Sequence, residues 1–354
     1  MADARTEITE IVTGLGLFGF RDIERALAAR PRFIVNVDDA VYDRLDTAFA
    51  SGVHDREFRI AYENGAVFAR AEDGLRGRPP WLVEWKGPHR PPAYEQIPAD
   101  LRVDHVYLLS CKYGSNILHN ASPWHVFDRT LSERSKQSGD WFASVAPESF
   151  QDFYAEVRSH VGDPALPELV ADLEPDHRQQ LKSALKGHWP AALRTDWQLV
   201  AFEIARASAA RLLDVADSRR EREEFLWRVL RLQAAPYFVL GAGLDDAPLR
   251  YRVGTPWDFR NRYELRSFDM WGEHAGQPTV RWRADLADRA GGERVIEGHV
   301  EVRWSHGKFA GVPEAKIYLD TPHHDVAGYE PLDAGSWSIA AAHCGRRATR
   351  ARAR

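Results

Sequence analysis

The chain has 354 residues, 44% apolar and 28% charged, with 12 Trp, 16 Phe and 11 Tyr. That excludes a disordered polypeptide and leaves room for more than one domain around a sizeable core. Two cysteines, Cys111 and Cys344, exclude a disulfide framework or a Cys-rich zinc site. A net charge of −5 excludes a uniformly basic nucleic-acid coat but not a local basic groove. Residues 1–10 lack a basic region followed by an apolar one, and no apolar run approaches the ~18 residues of a membrane span, so the expected location is the cytoplasm.

In chain order, Ile8, Ile11, Val12 and Leu15 recur at helical spacing, residues 32–37 are β-like, and residues 40–50 are helical again. Phe58, Tyr62, Gly65 and Ala69 predict an amphipathic helix over 57–72, stopped by Asp73-Gly74. A short strand, 81–86, follows Pro79-Pro80. Residues 103–113 read as one longer strand, because Val106, Tyr107, Leu108 and Leu109 are apolar on both faces. Residues 147–233 are mainly helical. From residue 236 the pattern turns to strands at 237–240, 249–253, 279–286, 295–304 and 315–319, with hairpin turns at Gly291-Gly292 and His306-Gly307. The expected fold is therefore α+β: an α/β core over 1–140, a helical subdomain over 145–235, an antiparallel β segment over 236–335 and a disordered basic tail over 336–354 with five arginines after residue 345.

Lysine is scarce, seven against forty arginines, so its placement is informative. Three lysines close an acid-x-Lys or Ser-x-Lys triplet in a predicted strand: Glu84-Trp85-Lys86, Ser110-Cys111-Lys112 and Glu314-Ala315-Lys316. Alternate strand residues share a face, so each triplet sets an oxygen beside an ammonium. A metal-dependent phosphodiesterase needs such a pair, because carboxylates hold Mg²⁺ while lysine orients water and offsets phosphate charge.

The segment from Glu57 to Asp128 resembles the core of the PD-(D/E)XK, or restriction-endonuclease-like, nucleases. The resemblance rests on a helix followed by strands carrying an acidic residue and an acid-x-Lys or Ser-x-Lys pair. It implies an α/β nuclease core, a Mg²⁺ or Mn²⁺ cofactor and a nucleic-acid substrate, DNA first, with a homodimer compatible. Ser110 and Lys112 match the degenerate form of the second motif, and Asp100 or Asp104 stands for the first acid. Asp104 lies eight residues before Lys112, about 26 Å along a straight strand, which favours Glu84 as the metal-binding partner. A second version uses Asp73, Glu84 and Lys86.

Three other patterns compete. Gly14-x-Gly16-x-x-Gly19, with Asp38 and Asp39 about twenty residues further on, has the spacing of a dinucleotide-binding turn, provided it links a strand to a helix. Arg250, Arg252, Arg281, Arg283 and Arg303 alternate with aromatics, as in a ribbon that holds a phosphate backbone and stacks bases. Residues 236–335 carry 12 basic and 16 acidic side chains, so cross-strand ion pairing explains this alternation equally well. Asp320, His323, His324 and Asp325 have the composition of a metal cluster in a polar loop. A binding protein working through the β segment is the alternative to a nuclease.

Overall fold

The computed structural model describes residues 4–87, 99–114, 117–129, 139–243 and 247–332. The basic tail lies outside them. The fold is mixed α+β, with two sheets and a helical layer between and around them.

The chain starts in one helix, α1, in which α-helical turns Ala4–Glu7 and Thr13–Gly16 flank a π-helical stretch, Ile8–Val12. Helices α2 (Ile23–Ala29), α3 (Asp39–Ala50) and α4 (Asp55–Arg70) follow; Asp22 and Asp38 cap α2 and α3 by accepting from backbone amides three residues on. Strands β1 (Ile34–Val35), β2 (Val83–Trp85), β3 (Leu101–Val103), β4 (Tyr107–Tyr113), β6 (Tyr237–Ala242), β7 (Pro248–Val253) and β12 (Tyr329–Pro331) form one sheet in the order β1-β2-β3-β4-β6-β7-β12. Within it β2, β3 and β4 form an antiparallel meander, and β6 returns parallel to β4. Between β4 and β6 the chain passes through β5 (Ile117–Ala121) and helices α5 (Pro123–Phe127), α6 (Trp141–Val145), α7 (Pro147–Val161), α8 (Pro175–Ala184), α9 (Ala191–Val215) and α10 (Arg219–Val229).

The second sheet, antiparallel throughout, runs β5-β11-β10-β9-β8, with β8 at Tyr263–Glu273, β9 at Thr279–Asp288, β10 at Glu293–Arg303 and β11 at Glu314–Leu319. A short helix, α11 (Pro256–Arg262), precedes β8. Gly291 and Gly292, both at positive φ, turn the β9–β10 hairpin as their sequence predicts. Helix α9 packs its Val200, Ile204, Ala205 and Leu212 face on this sheet, and Gly272 of β8 lets its backbone approach within a Cβ's reach of Arg206.

Two hydrophobic cores result. One lies between α1–α4 and the first sheet; the other fills the space among α6–α10 and the second sheet. Strand β6 serves both: Phe238 and Leu240 face the first core, Tyr237 and Val239 the second, so the strand is buried along its length. The expected boundaries at 140 and 236 do not divide the sheets, because β5 joins the second sheet and β6, β7 and β12 join the first.

Two sequence readings change here. Residues 103–113 are not one strand: Asp104 and His105 take left-handed φ values of 50° and 59° and fold β3 back on β4, supplying a third successive strand after α4. Asp tolerates that conformation through its short polar side chain, so the turn carries no Gly or Pro to announce it. The glycines at 14–19 do not form a strand-to-helix turn. Gly14 and Gly16 lie inside α1, where Gly16 meets Gly65 of α4. A Cβ on Gly16 would fall 2.2 Å from the Tyr62 carbonyl oxygen, and one on Gly65 2.1 Å from that of Thr13. The motif is a helix-crossing contact, which removes the dinucleotide-binding reading.

The crossing fixes the height of α1 above the sheet. Gly65→Ala is expected to cost about 1–3 kcal/mol in denaturant unfolding, whereas Gly311→Ala, with nothing within 4 Å of its added Cβ, leaves the midpoint near wild type.

Candidate active site

The β3–β4 turn brings Asp100, just ahead of β3, across from Ser110–Lys112. The Asp100 amide donates to the Leu109 carbonyl at 2.8 Å, and its carbonyl accepts from the Lys86 amide at 2.9 Å. Its Oδ2 accepts from the Cys111 amide at 2.6 Å and lies 3.5 Å from Ser110 Oγ. The carboxylate is thus held across the strand that carries Lys112. On the other side of β4, Gly241 of β6 approaches so closely that a Cβ would fall 1.8 Å from the Lys112 carbonyl oxygen.

Glu10 reaches the same place from α1. It sits within the π-helical stretch, between buried Ile8 and Thr9 on one side and Ile11 and Val12 on the other. Single-turn π segments often mark functional positions, because the extra residue redirects a side chain. Glu10 Oε2 accepts from the indole Nε1 of Trp85 at 2.6 Å.

These groups act on one another electrostatically. Burial first, and then the Asp100 charge, push the Glu10 carboxyl up to about 7, against the pull of the Trp85 bond and of Lys86 and Lys112. Burial also raises Asp100, opposed chiefly by Lys112, the Cys111 amide and Lys86. Burial and then Arg231 lower the Lys112 ammonium. Two carboxyls with raised pKa values, faced by three cations, form a site whose charge is not balanced by ordinary ion pairs. Burial, and then the Asp100 and Glu10 charges, push the Cys111 thiol well up, which disfavours its thiolate.

The remaining candidates lie elsewhere. Glu84 faces Arg102, its partner across the β2–β3 ladder, which donates to it twice at 2.6 Å; His105 Nδ1 lies 3.0 Å away. The Arg102 bonds hold that carboxylate below its usual range. Asp104 Oδ1 accepts from the amides of Trp81 and Leu82 at 2.9 and 3.2 Å, and its other oxygen pairs with Arg78, so it braces the turn. Asp73 lies in the turn after α4.

The arginine ribbon is paired. Arg250 Nε donates to Asn64 Oδ1 at 2.8 Å and approaches Glu63, and Arg252 approaches Asp258 at 3.9 Å. Arg281 pairs with Glu273 and Asp320, Arg283 with Asp285 and Glu297, and Arg303 with Glu301, at 2.7–3.2 Å. On β9 the alternate residues Val280, Trp282, Ala284 and Leu286 are buried, so the alternation is that of a half-covered sheet. Asp320 turns to Arg281 and to His299 Nδ1, His323 lies beside the Tyr251 ring, and His324 pairs with Asp325 at 3.3 Å. They do not converge. Lys316 lies opposite Glu301 on β10 and Asn120 on β5.

Sequence reasoning missed Glu10, Trp85 and Arg231. The one available signal for Glu10 was a carboxylate set among Ile8, Ile11 and Val12, in a helix that also carries Glu7. Comparison with protein-family models, with curated proteins and with solved structures returns no match.

Among the described residues no three His, Cys, Asp or Glu side chains form a metal-ligating group. Mg²⁺, however, is commonly held by one or two carboxylates together with water and substrate phosphate. Asp100 and Glu10 fit that pattern: both are oxygen donors, and burial opposes the ionised form of each.

The raised Glu10 pKa fixes the sign of a pH effect. Between pH 4.5 and about 7 the folded protein keeps a proton that the unfolded chain has released, so stability due to this group is full below that window and falls as pH rises through it. In EDTA, Glu10→Gln is therefore expected to gain thermal stability over wild type between pH 5 and pH 8, by a few degrees. A melting-temperature gap independent of pH would show that Glu10 does not ionise in a buried setting.

Proposed function

We propose that this chain is a metal-dependent nuclease that cleaves phosphodiester bonds in nucleic acid, with DNA the first substrate to test. The observation that carries the reading is the electrostatic coupling of Glu10 and Asp100 at one end of β4, with Ser110 beside Asp100 and with Lys86 and Lys112 acting on both carboxyls, Glu10 from the Cys111 face of β4 and Lys112 from the other. The order helix, three successive strands and a later strand parallel to the third adds support to the resemblance to PD-(D/E)XK nucleases.

Asp100 and Glu10 would hold Mg²⁺ or Mn²⁺. The bound ion supplies Lewis acidity towards the phosphate and lowers the pKa of coordinated water. Lys112, with its depressed pKa, hydrogen-bonds the attacking water and the scissile phosphate, and its charge offsets the one that develops there. Arg231 and Lys86 add positive charge around Asp100. Ser110 Oγ helps set the orientation of the Asp100 carboxyl.

No helix among the described residues is long and apolar enough to cross a membrane, and we assign the activity to the cytoplasm, where restriction, repair or defence against foreign nucleic acid takes place. The alternative, a non-catalytic protein binding through the second sheet, has less support, because its exposed arginines already hold carboxylates.

The test is cleavage of labelled single- and double-stranded DNA, and of RNA, with Mg²⁺, Mn²⁺ or EDTA. Asp100→Asn, Glu10→Gln and Lys112→Ala should each lower the rate by about 10²-fold or more, while Glu84→Gln stays close to wild type. Cutting that persists in EDTA or survives Asp100→Asn would contradict the assignment.

A further inference from the structure

A second concave site lies away from these carboxylates. The end of α8 and the loop after it, the β8–β9 turn and the β10–β11 loop enclose a cavity of about 680 Å³, within the range of small-ligand sites. Its lining includes three of the chain's seven lysines, Lys182, Lys186 and Lys308, together with Arg303. None of the residues lining it is Asp or Glu; Arg303 is paired with Glu301 from behind the wall, and the three lysines have no carboxylate partner among the described residues. In a chain of net charge −5 such a segregation of cations points to an anionic ligand.

The wall is aromatic. Trp197, almost fully buried, lies tilted against Trp189 (ring centroids 5.0 Å apart) and stacks on Trp304 (5.5 Å), and its indole Nε1 donates to the Gly276 carbonyl at 2.8 Å; Phe309 packs on Trp304 at 4.7 Å. Trp189 and Trp304 are only partly covered. Lys308 anchors the rim: its Nζ donates to the carbonyls of Leu185 (2.7 Å) and Gly187 (2.5 Å) and lies 4.6 Å from the centre of the Trp189 ring. The buried Trp304 Nε1 and Arg303 Nε have no hydrogen-bond partner among the described residues.

Indole faces take a base by stacking, and lysine and arginine side chains take its phosphate. We propose that this cavity binds a nucleoside phosphate, with the base against the Trp189 indole and the phosphate on Lys182 and Lys186. The ligand is either a free nucleotide or the terminal nucleotide of a single strand. The site shares no residue with Glu10, Asp100 or Lys112, so it stands whether or not the chain cuts nucleic acid.

The test is calorimetric titration of the full chain in EDTA with AMP, ATP, inorganic pyrophosphate and a short oligothymidylate. Wild type is expected to bind a nucleotide or the oligonucleotide at micromolar Kd and pyrophosphate at least 10-fold more weakly. Lys182→Ala/Lys186→Ala, altered at exposed or half-exposed positions and checked for an unchanged melting temperature, should lose at least 10-fold in affinity. Tighter binding of the oligonucleotide than of ATP assigns the site to a strand end, and the reverse assigns it to a free nucleotide. Pyrophosphate binding as tightly as ATP, unchanged affinity in the lysine variant, or no binding below millimolar concentration would overturn the proposal.

Discussion

The hydrogen bond from the Cys111 amide to the Asp100 carboxylate ties the candidate site to the fold. It spans the β3–β4 turn and makes the position of an ionisable oxygen depend on strand register. A slip of one residue would exchange the faces of β4 and carry Lys112 from the face it shares with Ser110 to the one that α1 covers. Register is secured on both sides: β3 pairs Leu101 with Leu109 and Val103 with Tyr107, and β6 pairs Gly241 with Lys112. The absence of a side chain at Gly241 allows that approach. The same close packing leaves Asp100 and Glu10 only partly exposed, so the rigidity that holds the carboxyls also raises their pKa values.

The N-terminal helix completes the arrangement through a contact of another kind. Gly16 and Gly65 let α1 and α4 cross backbone to backbone, and this sets how deeply α1 lies on the sheet. With α1 at that depth, the π-helical stretch presents Glu10 to Trp85 and to Asp100. A glycine pattern suggestive of phosphate binding thus serves the site indirectly, by placing a carboxylate. The two sheets are joined in a similarly interdependent way. Strand β6 is covered on both faces, so the core beneath the candidate site and the core beneath the second sheet share one strand.

Much of the secondary structure was legible. The spacing of Ile8, Ile11, Val12 and Leu15 gave the first helix, and the Gly291-Gly292 pair gave a hairpin. The β3–β4 turn was not legible, because Asp104 and His105 adopt positive φ without a glycine, and Val106 supplies an apolar residue where the chain reverses in solvent. Asp100, Ser110, Lys86 and Lys112 could be picked out by residue type and spacing. Pairing Lys112 with Glu84 could not have been rejected from sequence, since the competing partner, Arg102, is set by ladder register. Glu10 was hidden by distance along the chain, ninety residues from Asp100. The alternation of arginine with aromatics was real, but sequence could not show that carboxylates on neighbouring strands and loops neutralise it.

The central claim is that Asp100 and Glu10 together hold a divalent cation. Calorimetric titration with Mn²⁺ at pH 7, run in two buffers of different ionisation enthalpy, measures both affinity and protons released per ion bound. The account predicts saturable binding that releases a fraction of a proton, because the ion displaces the proton kept on Glu10. It also predicts loss of that release in Glu10→Gln and loss of binding in Asp100→Asn. Binding that is absent in the wild type, or unchanged in stoichiometry and proton release in both variants, would contradict it.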